Sequence, residues 1–271
     1  MQNPIMSRPF RRLLPALISG LLLPTAILAA EPGGAVSEPL SAAVIIEKNV
    51  QARGGAAAWR NARSLLLRGQ MDAGGRTPTA LPVVLELKRP NKVRVALQFK
   101  GKTAVQVFDG ESGWKLRPFL GRDEAEPFTP EETREAAAQS ELDGPLLDFR
   151  AKGTQIALEG TERIEGRDTY RLRLSLRDGT VSHAWIDAAT FLEARIEAAP
   201  HRVDGHLRRV MTYFRDYRSV DGLVVPFVVE TAVEGQKNTH RMSFSKVKVN
   251  LPLEDALFAR QGLEIPTPEF Q

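Results

Sequence analysis

The chain has 271 residues, of which 42% are apolar and 26% charged, enough to bury one large core or two modest ones and too apolar for a disordered chain. It contains no cysteine, which excludes disulfide scaffolds, zinc-thiolate and iron-sulfur centres, cysteine nucleophiles and an acylated amino-terminal cysteine. Of its 37 basic residues, set against 33 acidic ones, Arg8, Arg11 and Arg12 lie in an acid-free leader, so the remainder is close to neutral and offers no basic stripe to nucleic acid.

In residues 1–30 those three arginines precede an apolar run from Leu13 to Leu28, and Ala29 and Ala30 close it. A secretory signal cleaved near Ala30 is expected, with a soluble periplasmic product. The rival is an uncleaved anchor, since the run is nearly long enough to span a bilayer; Pro15, Pro24 and the small-residue end favour cleavage. Residues 31–40 are rich in Pro, Gly and small residues and read as a flexible lead-in. One domain is expected over residues 41–271.

Ser41 heads a helix over 42–53 that Gly54-Gly55 stops. Beyond Ser64 the period becomes two, and Leu65–Met71, Val83–Arg89, Val93–Phe99, Thr103–Asp109 and Trp114–Phe119 read as sequential antiparallel strands. Thr129-Pro130-Glu131-Glu132 is a capping box with proline at the first helical position, starting a helix that runs to about Ser140. Gly144-Pro145 restarts a second, shorter helical piece carrying Leu146, Leu147 and Phe149, so a helical lid is expected at about residues 129–152. Strands resume at Gln155–Glu159, then Tyr170–Leu176, whose apolar residues alternate with Arg171, Arg173 and Ser175, then Val181–Asp187, Phe191–Glu197, Leu207–Tyr217, Leu223–Val233 and Lys237–Val249. The parity change between Met242, Phe244 and Val247, Val249 predicts a bulge near Ser245-Lys246.

Strands outnumber helices too heavily for a flat sheet covered on both faces. The expected fold is mainly β (α+β): one strongly curved antiparallel sheet, an unclosed barrel of about 11–12 strands with a few short helices over its concave face. A two-layer sandwich with a filled core fits the same periodicity and stays open here.

Catalytic patterns are not found. His183, His201, His206 and His240 have no helical metal-ligand spacing, and His201 and His206 flank Asp204-Gly205 as solvated loop residues. Gly110-Glu111-Ser112-Gly113 is hairpin-turn chemistry rather than a nucleophile elbow. Glu131, Glu132, Glu135 and Glu141, with Asp123, Glu124 and Glu126, are accounted for by a helix start and solvated loops. No catalytic residue, metal or cofactor is expected.

The odd residue is Arg89. Val83, Leu85 and Leu87 share its parity, so alternation aims a charge at the apolar face, where it would need the orphan carbonyls of the lid helices as acceptors. Pro90 leaves the other course open, in which Arg89 snorkels to water at the strand end.

Lys88-Arg89-Pro90-Asn91, followed by Asp109-Gly110, Trp114 and Pro118-Phe119, resembles the LolA-type outer-membrane lipoprotein carriers and the wider LolA-like superfamily. The resemblance is strongest from Ser64 to Phe119 and extends loosely to Tyr217-Arg218-Ser219-Val220-Asp221-Gly222 and Pro226-Phe227. It implies an unclosed barrel with a helical lid that holds lipid or lipoprotein acyl chains and serves outer-membrane lipoprotein sorting, with inner- and outer-membrane protein partners. It also implies that Arg89 ties sheet to lid and that Val93 stands where the family has an aromatic residue near the mouth. LolA-like envelope-stress regulators give the alternative, a non-catalytic sensing or protein-binding module.

The residues expected to line an apolar site are Leu85, Leu87, Arg89, Val93, Val95, Leu97 and Phe99, with Trp114 and Phe119 beyond them and Leu146, Leu147 and Phe149 from the lid. A monomer is expected. Composition leaves open whether these side chains enclose a cavity or fill it themselves.

Overall fold

A computed structural model describes residues 40–72, 74, 79–198, 200–203 and 206–267. The leader and most of the lead-in lie outside the described residues. Three α-helices are present among them: α1 (Ala42–Ala52), α2 (Ala56–Asn61) and α3 (Pro130–Gln139). The first five strands are β1 (Ser64–Asp72), β2 (Ala80–Lys88), β3 (Lys92–Phe99), β4 (Lys102–Phe108) and β5 (Gly113–Arg117), followed by β6 (Arg122–Pro127). After α3 come β7 (Gln155–Ile164), β8 (Arg167–Ser175), β9 (Val181–Asp187) and β10 (Glu193–Glu197). The remaining strands are β11 (His201–Val203), β12 (His206–Arg208), β13 (Val210–Val220), β14 (Leu223–Val233) and β15 (Thr239–Val249).

Thirteen strands form one antiparallel sheet in the order β6-β5-β4-β3-β2-β1-β15-β14-β13-β10-β9-β8-β7, while β11 and β12 pair only with each other. The first and last strands of this order do not pair, so the sheet is curved and unclosed, as the periodicity predicts, with one or two strands more than the count expected. The central pairing of β1 with β15 joins the two halves of the chain and sets the breadth of the inner face, the one the helices cover.

The predicted bulge is present. Arg68 opposes Lys246 while Gly69 opposes Phe244, leaving Ser245 as the extra residue. Gly69 is required there, since a Cβ would stand 2.1 Å from the Ser243 carbonyl oxygen.

Local chemistry places the helices. The Ser41 hydroxyl accepts from the Val44 amide at the start of α1. At its end Gly54, with φ of 105°, packs so closely on the β13–β14 turn that a Cβ would meet the Gly222 oxygen at 2.1 Å. The capping box of α3 is complete, with Thr129 accepting from the Glu132 amide and Glu132 accepting from the Thr129 amide. The second helical piece expected after Gly144 is instead a chain of turns. Gly144, Asp148 and Gly153 all take positive φ, which breaks the helical ladder at each point.

The core has two inner clusters. One joins Trp59 of α2 and the adjoining Ala62, Ala136 of α3, Leu142 and Leu147 to β1–β4, β14 and β15. The other packs Ile45 and Ile46 of α1 with Leu146 against Leu172, Leu174, Ala184 and Ile186 of β8 and β9. A third cluster lies on the opposite face, where the carboxy-terminal segment brings Leu263 onto Ala96, Val105 and Val107.

Candidate functional site

The register of β2 with β3 sets Leu85 opposite Val95, Leu87 opposite Val93 and Val83 opposite Leu97. All six belong to the first inner cluster, and Leu147 packs there with them. Leu146 and Phe149 fall in the second cluster, under α1. Phe99 ends β3 and meets Phe119 edge-on, with ring centroids 5.8 Å apart.

Trp114 is not brought to this face. It opposes Val107 on β4 and packs with Leu116 and Ala125 near Leu263, and the Arg260 guanidinium lies over its ring. Its neighbour Lys115 points inward instead and pairs with Glu132 of α3 while nearly buried. Glu132 is held below the ordinary carboxylate range: burial pushes it up, but the bond from Lys115 and the Thr129 amide outweigh that. A salt bridge thus fastens α3 to β5.

Burial across the inner face is uneven. Near α2 Leu65, Leu87, Val93, Leu223 and Val225 are buried, while Val220, Val247 and Val249 are half-buried. Toward the opposite strand ends Met71, Leu85, Val95, Leu97, Val229 and Met242 are only partly buried, beside buried Val83 and Phe244. Val93 therefore lies beneath the cover and not at an open rim. The residues that extend the apolar face across β1, β14 and β15 were not among those expected to line the site. Their alternation was legible, but the adjacency of β1 and β15 is a long-range pairing with no local signal.

The cover is clasped at one point. Arg89 Nε donates to the Ala62 carbonyl at 2.8 Å, and its Nη2 donates to the Trp59 carbonyl at 2.9 Å and to Asp143 Oδ2 at 2.8 Å. The side chain is turned inward, as parity predicts, and the carbonyls come from the end of α2 where helix-terminal oxygens lack partners. The acceptor from the segment after α3 is a carboxylate and not a carbonyl.

Asp143 gathers further donors. Lys152 Nζ reaches its Oδ1 at 3.1 Å, and Arg53 Nη1 donates to its backbone oxygen at 2.8 Å. Arg53 also stacks on Trp59, whose indole donates to the Arg53 carbonyl. Burial pushes the Asp143 carboxyl up, but the Arg89 bond and the Lys152 charge overcome it and hold the group below its usual range. The end of α1, α2, the end of β2 and the segment after α3 are thus tied together through Arg89, Arg53 and Asp143.

A separate cleft of about 510 Å³ opens between the β7–β8 and β9–β10 turns and β13. Its charged groups are paired with one another. Tyr217 donates to Glu193, Arg215 bridges Glu165 and Glu230, and Asp187 accepts from the Ala189 and Thr190 amides. Burial, then the Glu193 charge, push the Tyr217 hydroxyl well above its ordinary pKa, so it stays protonated. His183 stands on β9 between Glu159 and Glu197, at 3.4 and 3.3 Å. Among the described residues no cluster of His, Asp and Glu has metal-binding geometry.

Solved structures share this architecture. A domain described as that of an outer membrane lipoprotein-sorting protein from Vibrio parahaemolyticus superposes with a TM-score of 0.55 at 14% identity, over 82% of this chain and 97% of that one. The fold is LolA-like. A LolA superfamily protein from Nitrosomonas europaea gives 0.53 at 14% identity, covering 82% and 98% of the two chains. A DUF1329 family protein from Desulfovibrio piger gives 0.52 at 12% identity with the same coverage. The sequence itself matches no family model and no curated protein. The LolA-like likeness is therefore one of fold, and the work the chain does has to be argued from its own residues.

Proposed function

We propose that this LolA-like chain is a non-catalytic carrier that takes acyl chains of a lipid or lipoprotein on its inner face, in the manner of outer-membrane lipoprotein sorting. The observation that carries this reading is a broad apolar inner face, clasped at Arg89, on which Met71, Leu97, Val229 and Met242 stay only half-buried. Such a surface gains roughly 0.8 kcal/mol for each methylene moved onto it from water, with no specific polar group required. The lipoprotein-sorting domain that shares the fold supports the same reading.

The carrier is exported to the periplasm and cut near Ala30, on the reading of residues 1–30, and acts there with membrane protein partners. No helix among the described residues is long and apolar enough to cross a membrane.

A fluorescent fatty-acyl probe tests the proposal on protein purified from the periplasmic fraction, whose intact mass should correspond to a chain beginning near Glu31. The probe should bind and be displaced by unlabelled lipid, and Leu97→Glu or Met242→Glu should weaken binding by about tenfold or more, since each sets a carboxylate against the acyl chain. Absence of probe binding, or binding indifferent to both substitutions, would reject the inner face as the site.

A further inference from the structure

We infer that the strand ends opposite Arg89 form a docking rim for an anionic lipid bilayer. Among the described residues the exposed large apolar side chains are Leu120, Leu176 and Leu207, with 60%, 39% and 70% of their surfaces open to solvent. They sit in three different connections. Leu120 lies in the turn between β5 and β6, Leu176 directly follows β8, and Leu207 is on the β11–β12 hairpin between β10 and β13.

Strand direction brings these connections to one side. The antiparallel order makes β5, β8 and β10 run the same way as β1, β3 and β14. All three leucines therefore leave the sheet at the same strand ends. The half-covered part of the inner face, at Met71, Leu97 and Met242, lies toward those ends too.

The charge of that rim complements an anionic surface. Its turns and adjoining strand ends expose Lys100, Lys102, Arg122, Arg177, Arg209 and Lys237. The same turns carry Asp123, Glu124, Asp178 and Glu234; Lys102 pairs with Asp123, Arg122 with Glu126 and Arg209 with Glu234, so Lys100, Arg177 and Lys237 are the rim cations without an ion pair among the described residues. The turns at the opposite strand ends carry Asp109, Glu111, Glu165 and Asp221, while the cations Lys88, Arg89, Lys92 and Arg167 there are each ion-paired.

A bilayer interface accepts single apolar side chains wherever they arrive and gathers Lys and Arg through its surface potential. A protein partner requires a contiguous packed anchor instead. One exposed leucine per turn with cations between them fits the bilayer. The inference does not depend on acyl chains entering the inner face.

Co-sedimentation with vesicles tests it, using phosphatidylcholine alone and phosphatidylcholine with one-third phosphatidylglycerol. The protein should partition onto the anionic vesicles and be released by salt. The triple variant Leu120→Ser/Leu176→Ser/Leu207→Ser should lower that partition by about tenfold or more, and Lys100→Glu/Lys237→Glu should lower it and reduce its salt dependence. All five positions are exposed, so urea midpoints should be unchanged, which separates lost docking from lost folding. No partition of the unmodified protein, or equal partition of the leucine variant, would overturn the inference. Leucine-dependent self-association or capture of an acidic protein, without vesicle binding, would do the same. Acyl-probe binding on these preparations reports separately on the inner face.

Discussion

Replacing Arg89→Leu should loosen the cover over the inner face while leaving the sheet folded. Leucine suits the apolar neighbours of that strand end, whereas the Ala62 and Trp59 carbonyls and the Asp143 carboxylate each lose a charged donor. Bonds to charged groups contribute roughly 1.5–3 kcal/mol each. Lys152 continues to neutralise Asp143, so the net loss should be about 2–3 kcal/mol in the opening equilibrium, or roughly 30- to 160-fold in local exchange. Amide exchange should rise at the end of α2 and over residues 140–153. It should rise less in α3, which Lys115 holds independently, and the amides of Tyr170–Leu174 should stay protected. Acid should mimic the substitution. Asp143 has a depressed folded-state pKa, so its stabilisation is complete above the ordinary carboxylate range near pH 4 and is lost as pH falls through the lower folded value. Exchange in residues 140–153 that is unchanged by Arg89→Leu would show that the clasp does not hold the cover.

A larger loss of global stability is expected from Arg94→Leu. The Arg94 side chain is 1% exposed and pairs with Glu86 at 2.7 Å, beneath the carboxy-terminal segment on the face away from the helices. It also donates to the backbone oxygens of Gly262 and Ile265 and to Thr267 Oγ1. Removing one member of a buried pair strands the other, at a cost of about 3–5 kcal/mol. The double variant Arg94→Leu/Glu86→Leu should therefore be more stable than the single one, because no lone charge remains. It should still release the carboxy-terminal segment, whose acceptors have lost their donor. Urea unfolding measures both effects. A double variant no more stable than Arg94→Leu would show that the buried charge is not the source of the loss.

Much of this architecture is legible in the sequence, and the failures have physical reasons. Alternation identifies which residues share a face, so Leu85 with Leu87, Val93 with Val95 and the Ser245 bulge follow from parity, whereas Pro90 leaves the aim of Arg89 open until its three inward bonds decide it. Alternation does not say which face the helices cover. In β5 the apolar Trp114 and Leu116 flank Lys115, a pattern that points the tryptophan inward, yet the structure reverses it. The carboxy-terminal segment supplies a second apolar layer outside, and Glu132 of α3 compensates Lys115 within. The strand β6, Arg-Asp-Glu-Ala-Glu-Pro, has no apolar period because it is an exposed edge held by its pairing with β5. The six-residue α2 is too short for periodicity to mark and depends on packing of Trp59.

The most direct measurement for the carrier account is solvent extraction and mass spectrometry of the protein taken from its own cell envelope. Species with acyl chains should co-purify with the unmodified chain and be depleted in Leu97→Glu, while the sheet remains folded. A protein that carries no acyl species, binds no acyl probe and instead retains a stoichiometric protein partner would contradict the account.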